Sequence, residues 1–188
     1  MKTLQKICFI LFPMVIAMNS SYGQSVYLAT GGKASFFSAT SMENIDAVTQ
    51  SMTGVLTAAT NDVIFTVPLR TFKFKSALME EHFNEKYVES EKYPKSTFKG
   101  KINEKIDWTR DTVATVTATG DMTLHGVTKT TTETGKLTIK EGKINLEVVI
   151  DVALKDYNIE VPKIVTQSIA EVIKVTMNCT FVPYVKKG

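Results

Sequence analysis

Apolar and polar residues alternate with period two along much of this chain, a pattern that puts one face of a β-strand in a core and the other in water. The alternation is clearest near the C-terminus, where Ile144, Leu146, Val148, Ile150, Val152 and Leu154 are interleaved with Asn145, Glu147, Val149, Asp151, Ala153 and Lys155. Ile173, Val175, Met177, Cys179 and Phe181 repeat it against Lys174, Thr176, Asn178 and Thr180. Val63, Phe65, Val67 and Leu69 form a third stripe, and Pro68 within it predicts an edge or bulged strand. Further strands are predicted from Phe98, Ile102 and Ile106 set against Lys99, Lys101, Asn103 and Lys105, and from Val48, Met52 and Leu56 set against Thr49, Ser51 and Thr53. Residues 33–41, 112–119 and 127–140 are rich in Thr, Val and Phe and read as strands on propensity.

Turn signals separate these runs at Gly31-Gly32, Asn61-Asp62, Thr109-Arg110-Asp111, His125-Gly126 and Glu141-Gly142. Strand, turn, strand with few interruptions predicts an antiparallel meander, closed as a barrel or packed as a sandwich. One segment breaks the period. Ser76 is an N-cap candidate, Glu80 and Glu81 suit the positive end of a helix dipole, and Met79, Phe83 and Tyr87 recur at a spacing of four. A helix is predicted over 77–91, ended by Pro94, and a shorter helical turn over 163–169 after Pro162.

The N-terminus reads as a secretory signal. Lys2 and Lys6 precede an apolar run from Ile7 to Ala17, and small residues at Ser21 and Gly23 place a cleavage site before Gln24. Residues 1–23 are therefore expected to be a signal peptide and residues 24–188 one domain. The competing reading is a membrane anchor, but a bilayer takes about 20 apolar residues and the run is shorter. The expected location is outside the cytoplasm, periplasmic or secreted. Without Lys2 and Lys6 the 22 basic residues become 20 against 19 acidic ones, a net of +1. That balance gives no electrostatic basis for a nucleic-acid partner. The cleaved chain keeps Cys179 alone, so it has no internal disulfide and depends on its core. Cys179 falls on an apolar stripe and reads as a buried, inert thiol.

Catalytic motifs are not apparent. The two histidines are His82 and His125, and zinc-ligand spacing, a phosphate-cradling glycine loop and a dinucleotide fingerprint are all missing. Glu80, Glu81, His82 and Glu85 read as a solvated helix face in preference to a metal site, and Lys99, Lys101 and Lys105 as the wet face of a strand. Asn178-Cys179-Thr180 matches a glycosylation sequon inside a strand pattern.

Residues 74–102, with FKSALMEEHFNEKYVESEKYPKSTFKG, and residues 120–129, GDMTLHGVTK, resemble the YceI-like family of exported lipid-binding proteins. The closing stretch DYNIEVPKIVTQSIAEVIKVTMNCTF is similar to that family's last strands. The resemblance implies a mainly β fold, an antiparallel lipocalin-like barrel with one principal helix packed against it. It also implies an interior that takes a polyisoprenoid or similar amphiphile. Many members open the helix with Arg-Asp, one residue, then His-Leu. The corresponding residues here are Met79-Glu80-Glu81-His82-Phe83, so the arginine is missing while Glu80 and His82 remain for a polar headgroup. His125 matches the family's His-Gly turn, a place that Gly126 and the turn geometry explain without a ligand.

An eight-stranded barrel is just wide enough to fill itself or to hold one small ligand. Met52, Phe65, Met79, Phe83, Val148 and Met177 are the candidate lipid-lining residues, in either case apolar. The expected function is non-catalytic lipid binding with no cofactor besides a bound lipid, and with a homodimer as a compatible assembly. The alternatives are a structural or interaction domain with a filled barrel, and an enzyme built on His82.

Overall fold

A computed structural model describes residues 26–39, 44–161 and 169–185. The predicted signal segment and most of the helical turn proposed over 163–169 lie outside the described residues. Among the described residues nine strands follow one another: β1 (Val26–Ala39), β2 (Asn44–Thr57), β3 (Asp62–Pro68), β4 (Lys73–Phe74), β5 (Lys95–Ile102), β6 (Thr112–Leu124), β7 (Val127–Lys140), β8 (Lys143–Ala153) and β9 (Val172–Pro183). A helix, α1 (Ala77–His82), lies between β4 and β5. Every pairing is antiparallel. The order runs β1-β9-β8-β7-β6-β5-β3-β2, and β2 pairs back to β1, so eight strands close a barrel while β4 adds to β2. Closure removes most of the exposed edge that an open sheet would carry.

The turns follow the chemistry of their residues. His125-Gly126 (φ 49° and 75°) and Glu141-Gly142 (φ 52° and 72°) each join two strands through two residues of positive φ. This is the hairpin turn whose twist matches that of its strands. Pro68 is the last residue of β3, and the predicted edge is a local one, on the side facing away from β5. There β3 pairs with β5 alone, its ladder with β2 having ended at Thr66, so the missing N–H breaks no pairing with β2.

Two irregularities depart from the sequence reading. Gly31-Gly32 is not a turn. Gly31 has φ 71° inside β1, where the four residues from Ala29 to Gly32 face three in β2, Met52 to Gly54, forming a bulge. In β2 the imbalance reverses, with Thr49 to Met52 facing Ala34 to Gly32, so the inward face changes parity. Ala47 and Thr49 are buried on one side of this bulge, and Met52 and Leu56 on the other. Val48, predicted inward, is therefore half-buried while Thr49 takes the interior and shares a 2.7 Å hydrogen bond with Thr71.

Strand β5 ends at Ile102, so Ile106 lies in the following loop. The predicted helix is also shorter. α1 ends at His82 and passes into one π-helical turn over Phe83–Tyr87, closed by Val88 N–H donating to the Phe83 carbonyl at 3.0 Å. Ser76 precedes the helix without a side-chain capping bond.

The core is uneven along the barrel axis. At the end holding the β7–β8 turn, Leu56, Val63, Ile102, Leu137, Ile144 and Phe181 have no more than 2% exposure and fill the interior. Phe181 lies over Gly54, where an added Cβ would come within 2.8 Å of the ring. The opposite end, which carries α1, is hollow.

Candidate functional site

The hollow end encloses a cavity of about 390 Å³. That volume lies within the roughly 300–1,000 Å³ typical of small-molecule sites. Its wall is built from the inward faces of the strands, and the small side chains of Ala34 and Ala118 leave space that larger ones would fill, while Gly135 lets Val148 pack close against β7. Phe65 closes the floor, its ring 5.9 Å from that of buried Phe181. Four aromatic rings close the helix end: Phe83 lies 5.4, 5.7 and 5.1 Å from Phe36, Phe72 and Phe74 respectively. Met79, His82, Phe83 and Tyr87 all face the cavity, so the stripe of spacing four survives the change from α to π winding.

The wall is split on one side. β7 and β8 pair only from Gly135↔Val148 to Lys140↔Lys143. Before Gly135, β7 keeps its ladder with β6, and beyond Val148, β8 keeps its ladder with β9. The segment after β8 folds beside the split: Leu154 and Ile159 line the cavity and Tyr157 is buried. Lys129 holds Asp156 at 3.0 Å. His125 bridges the same region, with Nδ1 3.0 Å from the Tyr157 carbonyl and Nε2 3.1 Å from the Glu89 carboxylate. The Tyr93 ring packs edge-on against it at 4.7 Å. This imidazole ties three segments together at the helix end and does not line the cavity.

Of the residues singled out in the sequence, Phe65, Met79, Phe83, Val148, Met177 and His82 line the cavity. Val148 and Val175 are half-buried, not fully buried, because they face the hollow instead of other side chains. Met52 lies outside the lining: it is completely buried, with its methyl group packed over Gly32 in the filled region. Glu80 also lies outside. Its carboxylate pairs with Lys73 at 2.7 Å and accepts a long bond from the Phe74 N–H. The Lys73 hydrogen bond, with help from Phe74, holds its pKa below the usual carboxylate value.

Asn178, in the sequon, accepts from Asn145 and donates to Glu147, both at 3.0 Å. Cys179 is buried, and burial pushes its thiol pKa up to about 12. Sequence reasoning missed Glu133, an acid on the cavity wall. Counting back in twos from buried Leu137 and Ile139 would have reached it.

The comparisons with known proteins agree with this architecture. A polyisoprenoid-binding domain from Saccharophagus degradans, implicated in plant cell wall breakdown, superposes with a TM-score of 0.72 at 12% identity, over 86% of this chain and 100% of that one. Burkholderia cenocepacia BcnA superposes with a TM-score of 0.67 at 13% identity, over 79% and 95%. A Campylobacter jejuni YceI protein gives 0.60 at 16% identity, over 79% and 90%. No curated protein matches the chain in sequence. At these identities the structural likeness establishes the shared barrel. The YceI-like domain matches residues 26–181, nearly the whole of the described barrel, and the chain belongs to that family.

Proposed function

We propose that this chain is an exported, non-catalytic carrier that holds one polyisoprenoid or similar long-chain lipid inside its barrel. The observation that carries this reading is the uneven interior: a filled floor, an aromatic lid, and between them an almost wholly apolar cavity of about 390 Å³. A barrel serving only as a structural or interaction domain has no need of that space, and an empty apolar cavity lowers stability. Burial supplies the affinity, about 0.8 kcal/mol for each CH₂ taken from water. The S. degradans domain is described as polyisoprenoid-binding, which supports the same ligand class here. The positive n-region, apolar run and small-residue cleavage site support export, with mature protein beginning at Gln24.

Organic extraction of purified protein, followed by mass spectrometry, tests the carrier reading. One prenyl or long-chain lipid per barrel is expected. Protein that yields no lipid and takes up none from prenyl alcohols overturns it. N-terminal sequencing of exported material tests the processing, and Met1 on that material would refute it.

A further inference from the structure

Among the described residues Glu133 is the one carboxylate on the wall of a mostly apolar cavity, whose other polar lining comes from His82, Tyr87, Ser38, Ser96 and Thr97. It shares the inward face of β7 with Thr131, Gly135 and Leu137, and it stands beside the split between β7 and β8. Among the described residues it makes no side-chain hydrogen bond or ion pair, and no Lys or Arg lines the cavity. Two residues along the same face and just outside the lining, the Thr131 hydroxyl is buried without a hydrogen-bond partner among the described residues. The charge of Glu133 is felt at the buried Tyr157, whose phenol pKa is raised first by burial and then by Glu133 and Asp156.

A carboxylate on the wall of a mostly apolar cavity, and behind it a buried hydroxyl with no partner, are unfavourable until something hydrogen-bonds to them. A second anion beside Glu133 would add like-charge repulsion in a medium that screens it weakly. Resting on the carrier reading, we propose that Glu133 and Thr131 form the polar subsite for the ligand's head. This subsite selects heads that donate hydrogen bonds or carry positive charge, such as amines, amides and alcohols, and rejects phosphate and carboxylate heads. The prenyl chain then extends from this wall into the apolar space between the Phe65 floor and the helix.

Three probes that share one chain, farnesylamine, farnesol and farnesyl phosphate, separate the possibilities. Their affinities are measured on the delipidated full chain by competition with a fluorescent apolar reporter. The expected order is amine, then alcohol, then phosphate. Glu133→Gln keeps the shape and removes the charge. It should weaken the amine by roughly tenfold or more, as for a lost charge-assisted bond, and should strengthen the phosphate. Thr131→Val, close in volume, should weaken the alcohol.

Equal affinity for all three probes, or phosphate binding tightest, overturns the subsite and leaves the carrier reading standing. Failure of all three to bind overturns the carrier reading and the subsite with it. If Glu133→Gln does not fold, the order measured on the unaltered protein decides the matter alone.

Discussion

Phe83 of the helix stacks on Phe36 of β1, ring centroids 5.4 Å apart and planes 26° from parallel. The contact joins a lid to a wall. Phe83 is held by the helix, Phe36 sits between β2 and β9, and Phe72 and Phe74 complete the cluster from the segment that leads into the helix. All four rings line the cavity, so the surface that fastens the helix to the barrel also forms the roof of the site.

Phe83→Ala should consequently act on binding and folding together. Removing a partly buried aromatic ring costs about 2–4 kcal/mol of stability. Lipid retention should fall by about 1–3 kcal/mol, the contribution of one large apolar side chain. Titration with a prenyl alcohol well below the melting temperature isolates the second effect. Unchanged affinity in a folded variant would place the chain of the lipid away from the lid.

Val148→Phe should separate the two effects by filling space. Val148 borders the hollow opposite Gly135, so the cavity can take a larger side chain with less strain than a packed core. The melting temperature should hold or rise, and the lipid recovered by extraction should drop sharply. A large loss of stability with normal lipid content would mean that Val148 faces a packed region.

Phe181→Ala probes the floor. Phe181 is completely buried over Gly54, beside Phe65. Its loss should cost about 3–5 kcal/mol. It should also deepen the cavity, so that affinity shifts toward longer prenyl chains when a series of alcohols is compared. A destabilised variant with an unaltered chain-length preference would show that the floor is set elsewhere.

The barrel was legible because the strands β3, β8 and β9 contrast strongly from residue to residue. Where contrast is weak, the reading failed for physical reasons. The parity change at Val48 and Thr49 comes from a bulge of one residue, which leaves the composition of β2 unaltered. Gly31 looked like a turn because positive φ serves a bulge as well as a turn. The first half of β7 reads Val-Thr-Lys-Thr-Thr-Thr-Glu-Thr, with too few apolar residues to show which face is inward, and this concealed Glu133. Met52 and Met177 look alike in sequence, yet one fills the packed end and the other lines the hollow. Their difference depends on position along the barrel axis, which register fixes and local pattern does not. Glu80 was drawn away from the cavity by Lys73, a partner that only the folding back of β4 reveals.

Cys179 offers a test of the core that needs no ligand. Its thiol lies on the inward face of β9 at 3% exposure, and burial raises its pKa from 9.0 to about 12. The thiolate is the reactive form, so the folded protein should resist alkylation by iodoacetamide at pH 8–9 and react fully once unfolded. The same shift has a consequence for stability. Below about pH 9 the thiol is protonated in both states and contributes no pH dependence. Between about 9 and 12 the unfolded chain has lost the proton while the folded chain keeps it, so unfolding becomes progressively easier. The expected loss from this group is about 1.4 kcal/mol for each pH unit within that window. Tyr87 and Tyr157, whose pKa values are also raised by burial, contribute slopes of the same sign at higher pH. The measurement is therefore a difference, with urea unfolding of the unaltered protein and of Cys179→Ala compared from pH 7.5 to 10.5. The alanine variant should start less stable, because it leaves a small void, and then lose stability more slowly as pH rises. Parallel curves, or rapid alkylation of the folded protein at pH 8, would mean that the interior around β9 admits water and that the filled end is not closed.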